Sequence, residues 1–192
     1  TGQQAGGSCR EIARAATPDC ILGHSASYQN VIEVLDQSEI CLIAFLGQVA
    51  GVIQKKDMKK PPVRMWLFGL ITISEMILSC GLERFYPNDS WQAELPEARL
   101  NKARALLAER RRIGQDLKLH DCLCLIDKAS ILTRNPALRE ELGFESRSEA
   151  KLAISKLESL RNSLAHAHDI VTYDWKTIVG LAQRLDRMLS RF

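Results

Sequence analysis

The residues with the clearest chemical potential are Arg161, Asn162 and His166, which occur within one short stretch of the chain. On a helix with 100° per residue, Asn162 and His166 share a face, whereas Arg161 and His166 are about 140° apart. A histidine can accept or donate a proton near neutral pH, and an arginine offers a charged, forked donor to a phosphate. These residue types fit phosphodiester cleavage. With RNA the 2′-hydroxyl can serve as the nucleophile, so the chemistry requires no metal.

The spacing of Arg161 and His166 favours a site built by two chains. One helix cannot easily hold a single atom between these side chains, because they flank opposite edges of its polar face. Two copies facing each other would form a groove lined by paired Arg and His side chains. The alternative interpretation is a solvated C-terminal turn that contains His166, His168 and Asp169, where cations interact favourably with the helix dipole.

The run from Arg161 to His166 (RNSLAH) resembles the R-x(4–6)-H motif of HEPN domains, in which a polar residue follows the arginine. HEPN domains are commonly dimeric bundles of four or five helices, and many are metal-independent endoribonucleases. The resemblance implies that His166 is the acid/base residue. It implies that Arg161 binds phosphate and stabilises the transition state, and that Asn162 supports them.

Three further residues are supporting candidates if the HEPN resemblance holds. His168 and Asp169 follow the motif directly, and Glu75 is the lone acid in an otherwise apolar helical segment. The alternative for Glu75 is an ordinary helix residue, exposed or paired with an arginine.

The overall composition bounds the class of protein. The chain has 192 residues, of which 46% are hydrophobic and 26% charged, so wholesale disorder is not expected. The net charge of +3 excludes a histone-like tail protein, although local basic runs remain. With 6% aromatic residues, a surface built mainly from base-stacking platforms is not expected. Eleven glycines and six prolines are few for an all-β protein, so we predict a mainly α fold.

The N-terminal part has the pattern of a small α/β unit. Tyr28 to Leu35 fits one face of a short helix, and Ile40 to Phe45 has the length of a buried strand. A turn at Gly47-Gln48 and a strand from Val49 to Ile53 complete the pattern.

After Pro62 the sequence predicts helices throughout, which suggests a four- or five-helix up-and-down bundle. Ser146 and Glu149 have the spacing of a capping box for the helix that carries the motif. The predicted helices are 63–85, 94–113, 117–133, 147–169 and 175–189.

The segment from Gly51 to Met58 resembles the end of a CBS motif, in which a strand leads into a short helix that carries an aspartate near its start. CBS motifs normally pair to bind adenine nucleotides, so the resemblance implies Asp57 and Gln54 as nucleotide-binding residues. Gln54 stands where threonine is usual. A complete cleft would need a second copy of the motif, since this chain shows only one.

These patterns divide the chain into three parts and indicate the cellular compartment in which the protein works. Residues 1–11 are expected to be disordered or of artificial origin, 12–60 a single CBS-like unit, and 61–192 the HEPN-like bundle. The six cysteines are expected to be reduced thiols in a cytoplasmic protein, because a core of this size needs no disulfides. Cys122, Cys124 and His120 lack a second pair of ligands, so no metal site is expected.

We expect no membrane span, because the apolar run from Val63 to Leu78 is short and interrupted by polar residues.

Basic runs at Lys55 to Arg64 and Arg110 to Arg112 offer salt-sensitive contacts to RNA, although solvated helix surface also explains them. The HEPN and CBS resemblances together imply a homodimeric RNA endonuclease without a cofactor, in which the CBS-like unit regulates the nuclease through an adenine nucleotide or holds the dimer. The alternatives are a non-catalytic RNA-binding, nucleotide-binding or dimerisation module, and the toxin of a toxin–antitoxin pair.

Overall fold

The computed structural model describes residues 16–165 and 171–189, with the side chains of the last helix described over 175–184. The chain divides into two compact units between Asp57 and Met58. The described residues are mainly helical and contain one small three-stranded sheet, which confirms the mainly α class. Residues 1–11, for which we expected disorder or an artificial origin, lie outside the described residues.

The first unit consists of a short helix and a sheet. Strand β1 (Ile21–Gly23) pairs in parallel with β2 (Ile40–Phe45), and β2 pairs antiparallel with β3 (Gln48–Gln54). Helix α1 (Tyr28–Gln37) connects β1 to β2. The three-residue strand β1 is absent from the sequence prediction, because so short a run carries no periodic signal.

Helix α1 begins with a reciprocal cap. The Ser27 hydroxyl accepts a hydrogen bond from the Asn30 backbone N–H at 3.2 Å, and the Asn30 side-chain oxygen accepts one from the Ser27 N–H at 3.1 Å. Val31, Ile32 and Leu35 lie on its buried face. This arrangement confirms the predicted helix and fixes where it starts.

The β2–β3 hairpin turns at Leu46 and Gly47, one residue before the predicted position. Both residues have positive φ angles, 49° and 78°. Two successive positive φ angles match the type I′ turn that suits the twist of a two-residue hairpin. Gln48 was wrongly placed in the turn, since it pairs with Phe45 in the ladder.

The second unit is built around α2 (Pro61–Phe85), which packs against α4 (Leu125–Leu132), α6 (Arg147–Ala165) and α7 (Val171–Leu189). The other helices are α3 (Glu97–Arg112) and α5 (Pro136–Glu141). Two prolines at the start of α2 match its first turn, where no intrahelical N–H is required. Leu67, Ile71 and Leu82 are completely or nearly completely buried on the inner face of α2.

The prediction of one helix over 117–133 is wrong. A short 3₁₀ turn (Leu119–Cys122) comes first, Leu123 is extended, and α4 begins after Cys124. The Lys118 backbone N–H donates to the Asp121 carboxylate at 2.9 Å, which stabilises the turn in place of a helix. Cys122 and Cys124 therefore do not lie within one helix.

Helix α5 is a further element that the sequence reading interpreted only as a break. The Asn135 side-chain oxygen accepts from the Ala137 N–H at 3.0 Å, and Pro136 occupies the first helical position. Asparagine followed by proline is thus the start of a helix here and not merely the end of one.

Helix α2 is longer than the apolar run from which we expected no membrane span. It has 25 residues and a mean hydropathy of 1.7 over its most apolar window, so by length and composition alone it could cross a membrane. The buried core helix of a globular protein can pass the same test. Here α2 packs against three other helices of its unit.

Candidate active site

The motif residues Arg161 and Asn162 lie in the last two turns of α6. Arg161 is half-buried and Asn162 is exposed. Neither side chain forms a hydrogen bond or an ion pair with the described residues, so both are available to a ligand. His166, His168 and Asp169 lie outside the described residues.

The opposite face of α6 anchors the helix in the bundle. Ala150, Ile154, Leu157 and Leu160 are buried, and they follow the spacing of one helical face. This face packs against α2, α4 and α7. Arg161 follows the buried Leu160 directly, which explains why part of its side chain is covered while Asn162 is in solvent.

Ser146 and Glu149 fix the start of α6 as the sequence predicts, with one difference. The Ser146 hydroxyl accepts from the Glu149 backbone N–H at 3.1 Å. The Glu149 carboxylate accepts from the Glu145 backbone N–H at 2.9 Å, one residue before the position that a capping box requires. The side chains of Ser146 and Glu149 therefore both accept hydrogen bonds from backbone N–H groups at the start of α6.

Arg64 holds the other end of α6. Its guanidinium donates to the backbone carbonyls of Leu164 at 2.6 Å and Ser163 at 3.3 Å. Both carbonyls lie near the end of α6 as it is described, where a positive charge interacts favourably with the helix dipole. Sequence reasoning counted Arg64 only as part of a basic run, because no local signal connects residues about a hundred positions apart.

Glu75 is paired with a buried lysine. The Lys128 ammonium lies 3.4 Å from the Glu75 carboxylate and donates to the Ser79 hydroxyl at 2.9 Å. Lys128 is only 2% exposed, so both contacts compensate for the burial of its charge. The expected arginine partner is thus a lysine, and Glu75 has a structural role as the counterion of Lys128.

A second polar cluster lies at the start of α4, where Asp127 is buried. Its carboxylate forms an ion pair with Arg99 and accepts a hydrogen bond from the Cys124 thiol at 2.9 Å. Burial, and then the hydrogen bond to Asp127, raise the pKa of Cys124, so the group is a neutral thiol near pH 7. A thiol in that state is a poor nucleophile, which argues against covalent chemistry at Cys124.

Glu158 connects this cluster electrostatically with the motif helix. The hydrogen bond to Asp127 is the main cause of the raised pKa of Arg99, and the negative charge of Glu158 adds to it, as it also does for Cys124. Glu158 precedes Arg161 by three positions and Asn162 by four, so it lies on the same face of α6. The face that carries the motif therefore also presents an acid that sequence reasoning did not include in the site.

In the first unit, the Asp57 carboxylate accepts a hydrogen bond from the Gln54 backbone N–H at 2.8 Å. This bond stabilises the passage from β3 into the 3₁₀ turn Lys55–Lys59. Asp57 is half-buried, and Gln54 is half-buried as well. The two residues with the implied nucleotide role are thus brought together, and part of the hydrogen-bonding capacity of Asp57 is used within the chain.

The second basic run lies at the exposed end of α3. Arg110, Arg111 and Arg112 are all exposed, and Arg111 donates to the Leu117 carbonyl at 3.3 Å. Arg110 and Arg112 form no hydrogen bond or ion pair with the described residues. Their location in the last turn of a helix is also favourable for the helix dipole.

Across residues 16–165 and the described part of α7, no group of three or more His, Cys, Asp or Glu side chains is arranged to hold a metal ion. Comparison with protein-family models, with curated proteins and with solved structures gave no match. Any assignment of function therefore depends on the residues and contacts described above.

Proposed function

We propose that the second unit is a HEPN-type, metal-independent RNA endonuclease that acts as a homodimer in the cytoplasm. The observation that carries the proposal is the pair Arg161 and Asn162. Both are accessible and have no partner among the described residues, on a helix end that Arg64 fixes in place. A guanidinium beside a polar amide is suited to binding a phosphodiester.

The proposed reaction uses the 2′-hydroxyl of the RNA as the nucleophile. Its oxygen forms a bond to phosphorus while a His166 imidazole takes its proton. The bond from phosphorus to the 5′-oxygen breaks, and a second, protonated His166 from the partner chain donates a proton to that leaving oxygen. Arg161 stabilises the negative charge that develops on the phosphate oxygens, and Asn162 orients the phosphate. The products are a 2′,3′-cyclic phosphate and a free 5′-hydroxyl.

An exposed apolar face of α2 supports the homodimer. Met65, Phe68 and Met76 are each more than half exposed, and their spacing places them along one side of the helix together with Thr72. A contiguous apolar surface of this kind is typical of a protein–protein contact. We assign this face to a second copy of the chain, because the proposed reaction needs two sets of Arg161 and His166, which a two-fold dimer would supply.

The same face begins next to Arg64, which contacts the motif-bearing helix. Met65 follows Arg64, whose guanidinium contacts the carbonyl of Leu164 at the end of α6. Pairing two chains along this face, with the two α2 helices parallel, would bring both motif-bearing helix ends to the same end of the interface. That arrangement supplies the two Arg161 and His166 sets that the spacing within one chain requires.

The RNA backbone would be attracted by cations outside the motif. Arg110 and Arg112 are exposed and without described partners, and such groups bind phosphates irrespective of sequence. The scarcity of aromatic residues favours phosphate contacts over base stacking. Cleavage is therefore expected to weaken as salt rises.

The non-catalytic alternatives are separated by one set of assays. A single-stranded RNA is incubated with the protein in the presence of EDTA, and adenine nucleotides are titrated calorimetrically in parallel. Nucleotide binding without cleavage would favour a sensing module, for which Asp57 is poorly placed because Gln54 already occupies one of its oxygens. Growth arrest on expression that depends on His166 would favour the toxin.

A further inference from the structure

A cavity separate from the motif lies between α2, α6, α7 and the turn before α6. Its volume is about 230 Å³, and its lining is predominantly apolar. The principal apolar side chains are those of Leu78, Leu142, Phe144, Leu157 and Leu181. The volume is somewhat below the range of about 300–1,000 Å³ that is usual for drug-sized ligands, so it suits a smaller molecule.

One end of the cavity is closed by Arg184. Its guanidinium pairs with Glu149, donates to the Gly143 carbonyl at 3.1 Å and stacks over the Phe144 ring at 4.5 Å. The hydrogen bond from Arg184 lowers the pKa of Glu149, so this carboxylate is ionised at neutral pH. The opposite charges of Arg184 and Glu149 compensate each other, so this end of the cavity has no net charge to attract an ionic ligand.

The other end carries two lysines that have no partner among the described residues. Lys156 lies two turns after Glu149 on α6, and Lys176 lies just over two turns before Arg184 on α7. At 1.5 Å per residue both are about 10–12 Å along their helices from the pair of Glu149 and Arg184, and both line the cavity. Both are exposed, and neither forms a hydrogen bond or an ion pair with the described residues.

Gly180 in the middle of α7 provides a second, independent observation. Glycine inside a helix is unfavourable because it increases the entropy lost on folding. Close packing does not explain it here, since a Cβ built at Gly180 would meet nothing within 4 Å. Gly180 lines the cavity, so a long side chain at this position would extend into the space, whereas a methyl group would leave it open.

We infer that this cavity is a binding site for a small amphipathic monoanion, with an apolar chain between the leucines and a carboxylate at Lys156 and Lys176. Charge complementarity selects an anion, because the only uncompensated charges among the described lining residues are these two lysines. The cavity is too small to receive a protein partner as its main occupant. The distance of about 10–12 Å along the helices matches an extended chain of about eight carbons.

The test uses octanoate and 1-octanol as probes, titrated into the whole chain by calorimetry. Octanoate should bind saturably with one site per chain and more tightly than 1-octanol. The double variant Lys156→Gln/Lys176→Gln should lose about fivefold to tenfold in octanoate affinity while 1-octanol binds as before. Lys151→Gln, which removes an exposed lysine of α6 outside the cavity, should change neither affinity.

Gly180→Leu tests the location of the site. Its side chain should fill the cavity and abolish octanoate binding, while the melting temperature rises by about 2–4 °C because a helix-favouring residue replaces glycine. Gly180→Ala, the conservative control, should retain binding. Ala153→Leu fills the cavity from α6 if Gly180→Leu does not fold.

Three outcomes would overturn the inference. The first is that octanoate does not bind the parent saturably, and the second is that folded Gly180→Leu binds it unchanged. The third is a change in oligomeric state for Gly180→Leu in light scattering, without any octanoate binding by the parent. That result would assign the cavity to a second copy of the chain.

Discussion

The guanidinium of Arg64 donates to the backbone carbonyl of Leu164 at 2.6 Å, which joins the start of α2 to the end of α6. The contact gives the Leu164 carbonyl a charged donor, and a positive charge near this end of α6 interacts favourably with the helix dipole. Because Arg161 and Asn162 lie in the turn just before, this contact fixes the backbone from which they project.

Replacing Arg64 by methionine should destabilise the protein. The variant removes the hydrogen-bond donor that Arg64 provides to the carbonyls of Ser163 and Leu164. We expect the free energy of unfolding, measured by urea denaturation, to fall by about 1–3 kcal/mol. Arg112→Met, which removes an exposed arginine from the last turn of α3, should cost less than about 0.5 kcal/mol. Equal losses for both variants would contradict the role given to Arg64.

The ion pair of Glu75 and Lys128 predicts a non-additive double-mutant cycle. Glu75→Leu leaves a buried ammonium with Ser79 as its remaining partner, and should cost about 1–3 kcal/mol. Adding Lys128→Met removes the uncompensated charge and should recover most of that loss. Denaturation curves of the four proteins check this. Additive losses would show that the two residues do not act as a pair.

The pair of Glu149 and Arg184 predicts a pH dependence of stability. The hydrogen bond from Arg184 holds the pKa of Glu149 below its ordinary value of 4.5 in the folded state. The pair therefore stabilises the protein fully above about pH 5, and this contribution is lost as the pH falls through the folded pKa. Glu149→Gln should flatten the fall of melting temperature between pH 6 and 3, whereas Glu140→Gln, an exposed acid on α5, should not.

The apolar face of α2 predicts that one charge will separate the dimer. Phe68→Glu places a carboxylate at the centre of that face, and light scattering should then give the mass of a single chain. Ile113→Glu changes a similarly exposed apolar residue after α3, and the dimer should persist. A parent that is itself monomeric, or a dimeric Phe68→Glu variant, would contradict the proposed interface.

The elements with clear local signals were predictable from the sequence. Helix α1 starts at a serine with asparagine three positions on, and α2 starts at paired prolines, so periodicity and caps agree in both cases. The helix that carries the motif was likewise predicted with its serine cap. Cys124 shows the limit, because it precedes α4 without a side-chain cap and so gives no sign that a helix begins there.

The site depends on contacts that no local pattern encodes. Arg64 meets Leu164 and Lys128 meets Glu75 across long stretches of sequence, and each pair forms only once the helices pack. Lys128 was especially difficult to foresee, because lysine is almost never fully buried unless it is paired. Arg161 and Asn162 could be selected from the sequence because their spacing within one helix resembles a motif, and their role in the site stays a prediction.

The central claim is most directly tested by RNA cleavage in EDTA with the variants Arg161→Ala and His166→Ala. Each should remain folded by circular dichroism, and each should reduce the cleavage rate at least about 100-fold, since general acid–base and charge-stabilising groups contribute about 10²–10⁴ to such reactions. Arg147→Ala, at the first position of α6, should cleave at the parent rate. Cleavage by folded Arg161→Ala and His166→Ala at the parent rate, or no cleavage by the parent, would contradict the account.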